Sequence, residues 1–534
     1  MKKKVLVLLL AMVMVLSVAL TGCDKGSGDD KAKETGEQTA DSKDGGVLTI
    51  ALSATPKNMD PVKYTGLYEG NVIASVCNTL VYYDKDLKEI IPGLATEWSI
   101  SDDLTQYTFK LRDDVYFQEG KYQDGRKMTA EDVKYSLERS AKESVMGRLR
   151  MLDHVEVVSD TEIVAYLKSA NAAFLTVLTD SGNSIVPKEE VEGWGDAFGM
   201  HLVGTGPFKF KELKKDDCVI LERHEKYWGE RPHLDGVTFK FIADTNMRAN
   251  ALRTGEIDVA TDLKGESIQS VKQDEKLVVT EKPGMQVSYL AMNLKEGPTK
   301  DKKVREAILS AINVDDLIKG LYPWDEAQKA YLALPPGSWG YDESLEDMVP
   351  KYDPENAKKL LKEAGYENGF ELNLYITDAP VRVKMATIIQ SYLKENLNID
   401  VKINTAEWGT FSEIVSKGNA DLYAMSWAWY PDPDFFLYQM FHSEQIGSLG
   451  NGQGFENAEV DDLLNKAVSQ TADQNERAEL YKQALKLITE DYAKLNYSNE
   501  KQICGLNKNV HEYTSFADGE IFVVHPQFNV WKDK

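Results

Sequence analysis

Thiol and metal chemistry have little to work with in this sequence. Its four cysteines, Cys23, Cys77, Cys218 and Cys504, form no C-x-x-C pair, which excludes zinc-ribbon and thioredoxin arrangements. The three beyond Cys23 cannot all pair within one chain; buried free thiols are expected, and any single pairing among them stays open. The seven histidines (His154, His201, His224, His233, His442, His511 and His525) have no His-x-x-x-His or His-x-His spacing and read as scattered core or surface residues. Hydrolase and nucleotide signatures are missing too: there is no Gly-x-Ser-x-Gly, no His-Glu-x-x-His and no Gly-x-x-x-x-Gly-Lys-Ser/Thr. The glycine-rich run Gly450-Asn-Gly-Gln-Gly454 lacks a strand–turn–helix context and reads as a flexible turn. Acidic pairs such as Asp102-Asp103 and Asp461-Asp462 are expected on solvated faces or helix caps, among 86 acids in all. Positive charge is scarce as well. With 62 basic residues and a net charge of −24, no basic stripe is available to neutralise phosphates, so a nucleic-acid partner is excluded. No catalytic residue, metal site or cofactor is expected.

Long apolar runs occur only at the start. Lys2, Lys3 and Lys4 precede an apolar stretch from Val5 to Leu20. At roughly 16 residues it fits a signal-peptide core better than a membrane span, which needs about 20. It ends in Leu20-Thr21-Gly22-Cys23, which looks like a bacterial lipobox: residues 1–22 would be removed and Cys23 would carry a diacylglycerol. Acyl chains bury with roughly 0.8 kcal/mol per CH₂, so two or three of them hold a soluble domain at a bilayer. Residues 23–46 are polar and small and read as a flexible stalk.

The remaining chain is too long for one hydrophobic core and should divide into lobes. Its pattern alternates strand and helix, an α/β signature. Val47–Leu52 and Gln106–Arg112 read as strands, and Val155–Lys168 as two short strands around Ser159-Asp160. Thr129 is placed to cap a helix with Val133 and Leu137 on one face. Lys302–Ile312 has helical spacing. Asp353-Pro354 opens a helix that stops at Gly365. Leu372–Thr377 and Ile399–Thr405 flank a helix near 381–396, and Ala420–Trp429 is a strand ended by Tyr430-Pro-Asp-Pro433. There is no internal repeat.

Several blocks together resemble the bacterial extracellular solute-binding family that includes oligopeptide-, dipeptide- and nickel-binding proteins. They are Leu48-Thr-Ile-Ala-Leu-Ser53 with Asn58-Met-Asp-Pro61, Val81-Tyr-Tyr-Asp84, Ile91-Pro-Gly-Leu-Ala-Thr-Glu-Trp98 and Tyr107-Thr-Phe-Lys-Leu-Arg112. Farther on come Asp124–Val133, Gly204-Thr-Gly-Pro-Phe208, Asn293, Lys303–Ala307 and Tyr430-Pro-Asp-Pro-Asp434. The resemblance implies a type II-like periplasmic binding protein: two large lobes joined by a hinge, plus a smaller inserted domain. One lobe would comprise 47–80, 204–286 and 507–534, the insert 81–203 and the other lobe 287–506. It also implies a monomer on the outer face of the cytoplasmic membrane (a Gram-positive surface, or periplasm) that captures a peptide and passes it to ABC permease subunits with a separate ATPase. An oligosaccharide, a metallophore or nickel is the alternative ligand, and a secreted lipoprotein hydrolase is the alternative of another class.

By the same resemblance, Ser53, Ala54 and Thr55 and the segment Ser426, Trp427, Ala428, Trp429, Tyr430 would flank the ligand backbone as added strands, and Trp408 matches a pocket tryptophan. One departure stands out. Peptide binders usually place an Asp just before the Pro-Asp-Pro turn, paired with the ligand's α-amine, and here Trp429 occupies that position. A buried ammonium without a partner is costly, although cation–π contact with Trp427 or Trp429 offsets about 2 kcal/mol when desolvated. Trp427 and Trp429 are not expected to face the same way unless a bulge intervenes before the turn.

Overall fold

The computed structural model describes residues 43–534. The expected signal peptide, Cys23 and the expected stalk up to residue 42 lie outside the described residues. Lys43 to Gly46, the last four residues assigned to the stalk, are docked: Gly45 N–H donates to His233 O at 2.8 Å and Gly46 N–H to Asp235 Oδ2 at 2.8 Å.

Apolar alternation explains the strands. In Gln106–Leu111 the residues Tyr107, Phe109 and Leu111 are buried while their neighbours face out. That strand joins Ala95–Ile100, Glu162–Leu167 and Leu152–Ser159 in a four-stranded antiparallel sheet. The helix Ala130–Glu143 covers it with Val133 and Leu137 fully buried. Its first turn is fixed where expected: Thr129 N–H donates to Asp132 Oδ2 at 2.9 Å, and Arg126 clasps the same carboxylate. The helix Pro354–Glu363 likewise starts on Asp353, whose Oδ1 accepts from Asn356 N–H at 2.9 Å.

A twelve-stranded sheet runs through the rest of the molecule. One half pairs Val47–Leu52 with Gly236–Phe241 and Val259–Ala260, and continues through Cys218–Arg223 to Phe208–Lys214. The other half pairs Gln286–Met292 with Leu422–Ala428, then Glu371–Thr377 and Asp400–Ala406. Each half packs its own apolar core: Ile50, Phe208 and Phe239 in the first lobe, Leu290, Ile308 and Leu374 in the second.

A single long strand, Lys494–Asn507, belongs to both halves. Its first part pairs with Gln286–Met292 and Ala327–Lys329, and its second part with Leu277–Pro283 and Val259–Ala260. Beside it the chain crosses between lobes a second time at Gly284, whose N–H donates to Glu500 O at 2.9 Å. A Cβ on Gly284 would stand 2.4 Å from Glu500 O, so the two crossings lie too close for any other residue there.

A buried ion pair and a backbone hydrogen bond fasten the four-stranded insert to its neighbours. Arg139 grips Asp60 of the first lobe through two bonds of 2.9 and 2.7 Å. From the second lobe, Val468 O accepts from Ala172 N–H at 2.8 Å. Cys77, Cys218 and Cys504 are buried free thiols, and burial pushes the Cys77 thiol far above its usual range. The segment 450–454, expected to be flexible, is instead buried and bonded. Asn451 Nδ2 donates to His442 O and Phe455 O, and Gln453 Nε2 to Met440 O. Polar side chains bonded to the carbonyls of the preceding helix and the following residue make it a packed turn.

Candidate functional site

The strand Leu422–Ala428 stays in register with Gln286–Met292 up to Ala428, then breaks at Tyr430-Pro431. Because the ladder is regular to that point, residues two apart share a face. Trp427 and Trp429 therefore stack on one side, with ring centroids 6.0 Å apart and planes 20° apart. This overturns the expectation that they diverge. Phe435 extends the stack beyond Trp429 at 6.2 Å. Trp427 is anchored, its Nε1–H donating to Phe435 O at 2.9 Å, whereas Trp429 is 40% exposed.

A cavity of about 210 Å³ opens beside Trp429, where the two lobes and the insert meet. Its walls carry Trp429, Tyr430, Tyr64, Tyr82, Tyr83, Phe516 and Phe522, with Asp180, Asp518 and Glu520 as the acidic members. Asp180 is the junction of all three parts of the molecule. Tyr64 Oη of the first lobe and Tyr430 Oη of the second each donate to it at 2.7 Å, and Arg148 of the insert donates Nε at 2.7 Å. Burial, with Asp180 alongside, raises both phenols well above their ordinary range, so they remain protonated donors.

Asp518 and Glu520 lie on the segment that crosses the cavity between Phe516 and Phe522. Burial pushes Asp518 up to about 6. It raises Glu520 well above the usual carboxylate range, and the charges of Asp518 and Asp180 add to the effect.

Of the residues picked from the sequence, Trp429 and Tyr430 line this cavity. Ser53 does not line it; its Oγ is bonded to Tyr68 Oη at 3.0 Å and Asp262 Oδ2 at 2.9 Å, and these two line a smaller adjoining cavity of about 110 Å³ that shares Leu67, Phe516 and Glu520 with the first. Ala54 and Thr55 follow it, half-buried. Ser426 shares a hydrogen bond with Ser288 at 2.7 Å and accepts another from Arg382. Ala428 is exposed. Trp408 opens the helix Trp408–Ser416, is 55% exposed and leans on Phe411. Sequence reasoning missed Tyr64, Asp180, Asp518 and Glu520. Tyr64 follows closely on the Asn58–Pro61 block, but the three acids carry no spacing that singles them out. Among the described residues, no three of His, Cys, Asp or Glu come together in a way that could hold a metal ion. No helix among them is long and apolar enough to cross a membrane.

Comparison with known proteins adds a consistent set of likenesses. The family described as bacterial extracellular solute-binding proteins, family 5 (middle), matches residues 89–448. The dipeptide-binding protein of Escherichia coli K12 is 30% identical over 466 residues, covering 82% of this chain and 86% of its own. Heme-binding protein A of Haemophilus influenzae is 31% identical over 502 residues, covering 88% and 90%. Among solved structures, HbpA2 from Haemophilus parasuis superposes with a TM-score of 0.85 at 26% identity, covering 92% of this chain and all of that one. DppA from Helicobacter pylori, solved with the peptide STSA, gives 0.73 at 32% identity, covering 92% and 99%.

Proposed function

This chain belongs to family 5 of the bacterial extracellular solute-binding proteins, and on that premise we propose that it captures short peptides between its lobes and delivers them to an ABC permease. It is a binding protein and not an enzyme. In this reading Cys23 carries the lipid that tethers it, as a monomer, to the outer face of the cytoplasmic membrane.

The observation that carries the reading is the aromatic and acidic cavity at the meeting point of three parts of the chain, beside the two crossings that join the lobes. Ligand groups seated there touch both lobes at once, and such contacts favour the closed arrangement over the open one. At about 210 Å³ the cavity is smaller than the ~300–1,000 Å³ typical of drug-sized ligands, which suits a peptide of two or three residues. Relatives described as dipeptide- and di/tripeptide-binding proteins support the same length.

Native mass spectrometry of the chain as purified, and again after unfolding and refolding, tests this. A ladder of released masses spaced like amino acids is the expected result. Trp429→Ala should weaken peptide binding by about 1–3 kcal/mol, and unchanged affinity in calorimetry would assign Trp429 to packing alone. A second reading, a non-peptide amphipathic ligand, is favoured by the aromatic side chain at 429 and by the relative described as heme-binding protein A. A single non-peptide mass would select it.

A further inference from the structure

The acidic side of the cavity is divided between satisfied and unsatisfied carboxylates. Asp180 is satisfied: Arg148, Tyr64 and Gly182 N–H donate to its Oδ1, and Tyr430 donates to Oδ2. The Arg148 guanidinium also neutralises its charge at 2.7 Å.

Asp518 and Glu520 have no such support. Asp518 Oδ1 accepts from Glu520 N–H at 3.0 Å, and the Glu520 carboxylate accepts no hydrogen bond from a described residue. Among the described residues neither forms an ion pair, and both Lys282, whose charge acts on Asp518, and Arg148 are engaged elsewhere. Arg148 is held by Asp180, and Lys282 pairs with Asp86 at 3.5 Å and donates to Lys85 O at 3.2 Å. Two half-buried carboxylates thus share an aromatic chamber without a countercharge, an arrangement unfavourable in the empty protein.

Independently of these acids, the indole of Trp429, stacked in a row with Trp427 and Phe435 and still 40% exposed, lines the same chamber. An aromatic wall and a pair of carboxylates are complementary to one chemical group, a primary ammonium: the carboxylates neutralise it, and aromatic rings around it add a cation–π attraction.

We propose that Asp518 and Glu520 bind the primary ammonium of the ligand, with Trp429 packed against it. They take over the task that the resemblance gives to an Asp at position 429. The inference rests on the peptide-capture reading for the identity of the amine as a peptide N-terminus. The loss of an acid before the Pro-Asp-Pro turn is then a relocation of the anchor to the segment between Phe516 and Phe522.

Calorimetry on the full chain with Ala-Phe and N-acetyl-Ala-Phe tests it. N-acetylation is expected to cost at least 100-fold in affinity. The double variant D518N/E520Q should lose 10- to 100-fold for Ala-Phe and show no loss for the acetylated peptide, with its melting temperature confirming a folded protein. Titration in two buffers of different ionisation enthalpy at pH 6.5 should also report proton release on binding, which a purely structural role would not produce. Equal affinity for the free and acetylated peptides would overturn the amine subsite and leave peptide capture standing. Failure of a di- and tripeptide pool would instead overturn peptide capture. Phenethylamine against N-acetylphenethylamine then decides the subsite: binding of the amine alone supports it, and binding of neither or of both overturns it.

Discussion

Tyr430 Oη donates to Asp180 Oδ2 across 2.7 Å, joining the turn of the second lobe to the insert, while Tyr64 of the first lobe holds the other oxygen of the same carboxylate. One side chain thus reports on the relative placement of three parts of the chain. Hydrogen bonds to a charged group contribute about 1.5–3 kcal/mol. Tyr430→Phe removes one while keeping the ring, so ligand release should accelerate about tenfold or more in stopped-flow measurements. An unchanged release rate would mean that this bond forms equally well in open and closed arrangements.

Binding of an ammonium ligand should strengthen as pH rises from 5 to 7.5. Burial raises Asp518 to about 6 and Glu520 well above its usual range, so at low pH both are protonated and attract no cation. The groups facing them do not reverse this trend: Asp180 is paired with Arg148, Lys282 is engaged with Asp86, and the Tyr64 and Tyr430 phenols stay protonated. Affinities for Ala-Phe measured across this range should flatten in D518N/E520Q, since either carboxylate left in place would still titrate within it. A flat profile in the unmodified chain would remove the carboxylates from the binding step.

The Arg477–Asp432 pair inside the second lobe should be a large single contributor to stability. Both side chains are buried, and Arg477 meets Asp432 at 2.8 and 2.9 Å. Removing one member strands the other charge, at a cost of about 3–5 kcal/mol. Arg477→Met should show this loss in urea unfolding, and pairing it with Asp432→Asn should recover part of it. Full additivity of the two losses would argue against direct coupling.

His525 should set part of the acid limit of folding. It is buried, its Nε2 lies 3.0 Å from Tyr83 O, and burial lowers its pKa to about 4. The unfolded chain takes up this proton near pH 6.5 while the folded chain resists until about 4. Stability is therefore present in full above 6.5 and falls as pH drops through that window, by at most about 3 kcal/mol. His525→Gln should make unfolding less pH-dependent between 6.5 and 4, and an unchanged slope would assign the loss to other groups.

Local signals gave most of the secondary structure, because each lived within a few residues. Thr129 and Asp353 sit where capping chemistry puts them, and the alternation of Tyr107, Phe109 and Leu111 marks a half-buried strand. The cavity was harder to read. Trp429 and Tyr430 stood out because an unusual residue interrupts a recognisable block. Asp180 meets the neighbouring pair Asp518 and Glu520 only through folding, across more than three hundred residues, and nothing near any of the three in sequence distinguishes them from other acids. The stacking of Trp427 on Trp429 turned on whether the ladder stayed regular to Ala428, which its pairing with Gln286 decides. The segment 450–454 misled because glycine content signals conformational freedom, while the burial of Asn451 and Gln453 depends on distant carbonyls.

The lobes are joined through a hydrogen-bonded ladder, with Gly284 pressed against Glu500 and the strand Lys494–Asn507 unbroken beside it. Paired strands bend readily across the pleat but resist sliding past one another, since a slip would break every rung. The joint should therefore swing like a door on a fixed pin and not roll like a ball in a socket. Each closing would return Trp429 and Glu520 to the same facing positions, so selectivity among ligands would be set by the angle reached and not by a search over orientations.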